Sequence, residues 1–187
     1  MMATYDDELL KAARWLIDRR RGQRGKLSAA RVRRSISTTY YAIFHFLLEE
    51  AARSLIGSHN DLRRRRRTFT RTFTHLGMKT ALEKIRGANV DASVADFLRP
   101  SGTNTSPVVA SPFARNMAAA FSDAQAKRHD ADYDLNKGLS EVDARLLILR
   151  VRRAIAAWRA ASTAADKDFK NALSMLMVLK GQLRRED

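Results

Sequence analysis

The chain contains no cysteine, which excludes disulfides and thiolate metal sites and leaves no sign of an oxidising compartment. Its only prolines, Pro100, Pro107 and Pro112, share one window, so the stretches on either side are free of the strongest helix breaker. No apolar run approaches the roughly 18 residues needed to cross a bilayer, so no membrane span is expected. The N-terminal MMATYDDELL is acidic where a signal peptide is basic, and the expectation is a cytoplasmic protein. Acidic residues are also scarce: 20 Asp and Glu stand against 35 Lys and Arg, a net charge of +15. That excess favours a polyanionic partner, most simply nucleic acid. The four histidines are scattered and HExxH is absent, so no metal or other cofactor is expected.

What the chain does have is helical periodicity. Few windows alternate as strands do, and the eight glycines fall mostly between periodic segments, where turns and helix ends need them. The pattern predicts an all-α bundle. At 187 residues the expectation is a single domain, 1–187, or one domain plus appendages, large enough to bury about 70% of its unfolded surface.

A first helix is expected from about Thr4, which makes a T-x-x-D capping signal with Asp7, to about Arg19, with a core stripe of Leu9, Ala13, Leu16 and Ile17. A basic loop, Arg19 to Lys26, follows. The longest helix runs from Ser28 to about Ile56, and Val32, Ile36, Tyr40, Ile43, Phe44, Leu47, Ala51 and Leu55 make its seam. Beside that seam lies a polar and aromatic stripe, Arg34, Thr38, Tyr41 and His45.

Five consecutive arginines, Arg63 to Arg67, come next, with another at Arg71. They cover every face of a helix, so one face cannot bury them all. They read either as a solvated run or as a phosphate-contacting patch. Phe69 and Phe73 interleave with them as stacking platforms for single-stranded bases do, yet their four-residue spacing equally suits a core face with Leu76. Met78, Leu82 and Ile85 form a second face, with a bend expected at Gly77. The Ser-, Thr-, Gly- and Pro-rich stretch 88–110 reads as a flexible loop.

Ser111 and Pro112 then start a helix whose buried face is Phe113, Met117 and Phe121. Ala124 continues that face and Arg128 arrives on it, so a guanidinium is carried toward the interior side of the last turn. Within six residues the helix end gathers Arg128, His129, Asp132 and Tyr133. Ser140 with Asp143 caps a further helix with the seam Leu147, Val151, Ala154, Ile155 and Trp158. A last helix, Asp166 to Lys180, carries Phe169, Leu173, Leu176 and Met177.

Two phrases, RRSISTTYYAIFHFLLEEAA (Arg33 to Ala52) and FARNMAAAFSDAQAKRHDADYDL (Phe113 to Leu135), resemble the HEPN superfamily, in its branch of small bacterial proteins with a YYAxFH helix and a terminal R-x-x-ADY. The resemblance runs from Leu27 to about Trp158. It implies an up-and-down bundle of four to six helices, usually homodimeric, acting on or around RNA in toxin–antitoxin, phage-defence or stress systems. Many relatives are metal-independent endoribonucleases, and some are silenced by a nucleotidyltransferase antitoxin. The family signature is an arginine followed, after four to six residues, by a histidine. Arg128 matches the arginine, but the permitted histidine positions hold Tyr133, Asp134 and Leu135.

Cleavage through the RNA's own 2′-hydroxyl needs a base, an acid and a fixed cation over the phosphorane. Imidazole serves both proton roles near neutral pH, whereas a phenol of pKa about 10 is a poor base. The candidate catalytic set is therefore Arg128, Asp132 and Tyr133, with His129 or His75 standing in for the missing histidine. The candidate RNA-binding set is Arg63, Arg64, Arg65, Arg66, Arg67 and Arg71, with Arg34, Tyr41 and His45 on the long helix. The expected function is an RNA-binding protein with a composite dimer site around Arg128. The alternative is a catalytically inactive subunit that docks a nucleotidyltransferase or another defence partner.

Overall fold

The computed structural model describes residues 4–18, 25–99 and 107–181. Among them are seven α-helices and no strands: α1 (Tyr5–Ile17), α2 (Ala29–Ile56), α3 (Arg63–Phe69), α4 (His75–Glu83), α5 (Pro112–Tyr133), α6 (Glu141–Ala160) and α7 (Ala164–Val178). The all-α expectation holds. The described residues of the Arg19 to Lys26 loop begin at Gly25, and 100–106 in the middle of the 88–110 stretch also lie outside the description. The described flanks of that stretch bury Val90, Val94, Leu98, Val108 and Ala110, and the Val90 N–H donates to the Val108 carbonyl at 2.9 Å.

The chain divides into two compact units: Met1–Phe46 with Ala120–Ala156, and Leu47–Ala119 with Ala157–Asp187. In the first, side-chain contacts give the direction of three helix pairs. Along α1 and α2, Ser35 donates to the Ala13 carbonyl at 2.8 Å and Arg31 Nε to the Leu16 carbonyl at 2.7 Å. One number falls as the other rises, so the pair is antiparallel. The α5 and α6 segments behave likewise, with Lys127 against Asp143 at 3.3 Å and Asp123 against Arg150 at 3.0 Å. Between α2 and α5, Arg33 reaches the Ala131 carbonyl and Tyr40 packs on Phe121, again antiparallel.

The α1 core stripe is Asp6, Leu10, Ala13 and Ile17, not the predicted set, in which Leu9 and Leu16 are only half-buried. Trp15 stands exposed. The Thr4 hydroxyl donates to the Asp7 carboxylate at 2.7 Å rather than accepting from the first turn. In α2 the predicted seam is buried apart from half-exposed Leu55. Ser35, Ser37, Thr39, Ala42, Phe46 and Leu48 are buried as well, so α2 is covered on nearly every side. Small hydroxyl side chains suit that place, since Ser35 and Thr39 satisfy themselves on the Ala13 and Ser35 carbonyls.

In the second unit α4 runs unbroken through Gly77, where a bend was expected. A Cβ at this glycine would lie 2.9 Å from both Lys180 Cγ and Thr74 Oγ1, so hydrogen is needed for close packing. Leu76, expected on the core face, is exposed, while Phe69 and Phe73 pack edge to face at 5.4 Å with Phe73 buried. Phe73 is therefore a core residue, and Phe69 is half-buried against it. Helix α7 starts two residues earlier than predicted, because Thr163 and Asp166 close a capping box at its start. Its Lys170 ammonium caps α6 in turn, donating to the Trp158 carbonyl at 2.7 Å and the Ala161 carbonyl at 2.5 Å.

Candidate functional site

The C-terminal turn of α5 gathers the groups the sequence singled out. Phe113, Met117, Phe121 and Ala124 are buried as the four-residue spacing requires, and the next position on that face is Arg128, whose side chain is 21% exposed. Its Nε lies 2.7 Å from Asp132 Oδ2. The Nε–H is not aligned with that oxygen, so the contact is an ion pair rather than a hydrogen bond. Nη2 donates to the Tyr41 hydroxyl at 3.4 Å. Three rings surround the guanidinium carbon: Tyr133 at 5.6 Å, and Tyr40 and Tyr41 at 5.7 Å. Nη1 makes no hydrogen bond among the described residues.

The electrostatics follow from this geometry. Burial pulls the Arg128 pKa down, but Tyr41, Asp132 and Tyr133 outweigh it and raise the value, so the cation is permanent. Burial pushes the Tyr40 phenol well above the ordinary tyrosine range, with Arg128 pulling the other way and Tyr41 adding to the rise. Tyr40 is therefore a neutral wall.

Ser37 and Arg33 of α2 fix this turn from outside the guanidinium. Ser37, buried on α2, donates to the other carboxylate oxygen of Asp132, so Asp132 is held from both sides. Arg33 spreads its guanidinium over the end of α5. Its Nη1 donates to the Asp130, Ala131 and Asp134 carbonyls at 3.0, 3.1 and 2.9 Å, and its Nη2 to those of Leu135 and Lys137 at 3.2 and 2.7 Å. These carbonyls belong to the last turn of α5 and the turn that follows it, where the Ala131 carbonyl is one that a helix end leaves without an intrahelical partner.

Of the predicted catalytic residues, Arg128, Asp132 and Tyr133 meet here, and exposed His129 joins through its ring, 5.3 Å from that of Tyr133. His75 opens α4 and belongs to the other unit. Of the long-helix residues, Tyr41 touches Arg128, whereas Arg34 is exposed. His45 sits among rings, 5.1 Å from Tyr5, 5.5 Å from Phe44 and 6.3 Å from Tyr41. Burial lowers its pKa. The face of α2 that builds the site is thus Arg33, Ser37, Tyr40 and Tyr41, one residue round from the predicted stripe. The signal was in the i, i+4, i+8 spacing of Arg33, Ser37 and Tyr41.

The arginine run divides in two. Arg66 is 8% exposed and structural: its Nη1 donates to the Gly57 carbonyl at 2.7 Å and the His59 carbonyl at 2.8 Å, closing the turn after α2. Arg63, Arg64, Arg65, Arg67 and Arg71 are exposed and form no ion pair among the described residues. No group of three or more potential metal ligands occurs among the described residues. No helix among them is long and apolar enough to cross a membrane.

Comparison with protein-family models finds no match, and comparisons with curated proteins and with solved structures likewise find none.

Proposed function

We propose that this chain is a HEPN-like RNA-binding protein whose site is the end of α5. The observation that carries the reading is a permanent guanidinium held at a helix end by Asp132, Tyr41 and three tyrosine rings, with one nitrogen still free. Such a group binds phosphate bidentately once a phosphate oxygen competes with Asp132. The resemblance of Arg33 to Ala52 and Phe113 to Leu135 to HEPN proteins adds the expectation of a homodimer with two α5 ends in one composite site. It also suggests a toxin, phage-defence or stress role in the cytoplasm.

Endoribonuclease activity is the stronger form of this proposal. The 2′-oxygen would attack phosphorus and the bond to the 5′-oxygen would break, leaving a 2′,3′-cyclic phosphate and a 5′-hydroxyl. His129 would take the 2′-proton and return it to the 5′-oxygen, and Arg128 would sit over the phosphorane charge. Tyr133, a poor base, would orient rather than transfer protons.

A second reading has its own observation. Asp132 already neutralises Arg128 and tyrosine stands where the family histidine belongs, which suits an inactive subunit that docks an acidic face of a nucleotidyltransferase or other partner. Purified protein incubated with labelled RNA in EDTA separates the readings. Binding lost in Arg128→Ala, with unchanged far-UV circular dichroism, supports the site. Cleavage lost in His129→Ala supports the nuclease, and full activity in Arg128→Ala refutes the site. Indifference of the wild-type chain to RNA leaves only the docking subunit.

A further inference from the structure

The exposed arginines near α3 share a geometry that composition alone does not convey. Along α3, at about 100° per residue, Arg63, Arg64 and Arg67 fall within roughly 100° of one another around the axis, whereas Arg65 and Arg66 point elsewhere, and Arg71 follows in the 3₁₀ turn Thr70–Thr72 that continues the helix. Arg66 is spent on the Gly57 and His59 carbonyls, and no acidic partner neutralises the other four among the described residues. Arg67 follows Arg63 after about 6 Å of α-helical rise, and Arg71 follows Arg67 after about 7 Å, because the last two steps run through the 3₁₀ turn. Both intervals are comparable to the repeat of phosphates along one sugar–phosphate strand.

We infer that Arg63, Arg64, Arg67 and Arg71 form a backbone-tracking strip that holds successive phosphates of one RNA strand without reading its bases. The inference rests on the RNA-binding reading above and names what this second surface recognises. The absence of base reading follows from the aromatics: Phe73 is buried and packs edge to face on Phe69, and Phe69, two residues after Arg67, lies about 160° round α3 from it. A row of guanidiniums with no stacking platform contributes charge and spacing alone.

Fluorescence anisotropy tests this with labelled oligouridine and oligoadenine of equal length, titrated at salt concentrations between about 50 and 200 mM. Each single alanine substitution at Arg63, Arg64, Arg67 or Arg71 is expected to reduce the slope of log K against log salt by about 0.7, and the fourfold variant by about 3. The reduction should be the same for both oligomers, and Arg65→Ala should leave the slope nearly unchanged. The four positions are exposed, and the single variants keep the test valid if the fourfold variant fails to fold. A fourfold variant that folds and binds RNA with the wild-type slope overturns the strip while leaving the RNA-binding reading intact. A slope change confined to one homopolymer overturns backbone tracking in favour of base recognition. A wild-type chain that ignores RNA but binds phosphatidylserine vesicles through these arginines overturns both.

Discussion

Asp132 sets binding against folding. Its carboxylate holds Arg128 in place and is itself held by Ser37, so within the folded chain it completes a network. Toward a phosphate it is a competitor for the same guanidinium. Asp132→Asn removes the charge and keeps the shape, leaving a four-fifths-buried arginine without its counter-ion. The variant should be less stable by about 1–2 kcal/mol, because a charged partner has been lost from a partly buried site. Its RNA affinity should nevertheless rise, since the free guanidinium no longer exchanges one anion for another. Urea unfolding and RNA titration of the same preparation check both directions. A variant that loses affinity along with stability would show that Asp132 positions Arg128 rather than competing for it.

At the scale of helices, periodicity was readable wherever a segment has one buried face. The α6 seam and the apolar positions of α5 and α7 are buried as predicted. It failed where burial comes from several sides or from a neighbour distant in the chain. In α2 the run Ser35 to Thr39 looks polar, and only packing on α1 and α5 shows why small hydroxyls belong inside. The place of Arg128 could be read from helical pitch, but Ser37 and Arg33, about a hundred residues away, could not. The Thr163 and Asp166 box was legible by the rule applied to Ser140 and Asp143. Gly77 reads as a bend because glycine lowers helix propensity, yet it lies within α4 because Lys180 and Thr74 leave no room for a methyl group. On propensity alone Gly77→Ala would stabilise a helix interior by about 0.5–1 kcal/mol. The 2.9 Å contacts reverse that sign, since Lys180 Cγ lies near its backbone and Thr74 Oγ1 is the α4 cap acceptor at 3.1 Å from the Gly77 nitrogen. A net loss of about 1 kcal/mol is expected, the usual order for overpacking. Thermal melts that show stabilisation would mean that α7 yields without strain.

For the whole molecule the excess of base governs the response to acid. The chain carries +15 at pH 7, and every carboxylate protonated below that adds to self-repulsion. Specific groups set the stages of the loss. Burial lowers the His45 pKa, so the folded state binds fewer protons than the unfolded chain, and stability must fall as pH drops from about 6.5 through the folded value. The Asp143 carboxylate is held below the usual range by Ser140 and then by Lys127, and Asp91 by Ser93 and then by Lys84. Their contribution is complete above the ordinary carboxylate value near 4 and disappears as pH falls through their lower folded values. Melting temperature measured from pH 8 to pH 3 should therefore decline in two stages, a shallow one beginning near pH 6.5 and a steeper one below about pH 4. His45→Phe should remove part of the first stage and none of the second. Added salt should recover part of the second, where growing repulsion between like charges is screened, and little of the first, where the loss comes from burying a charge among Tyr5, Tyr41 and Phe44. A first stage unchanged in His45→Phe would assign it to another histidine.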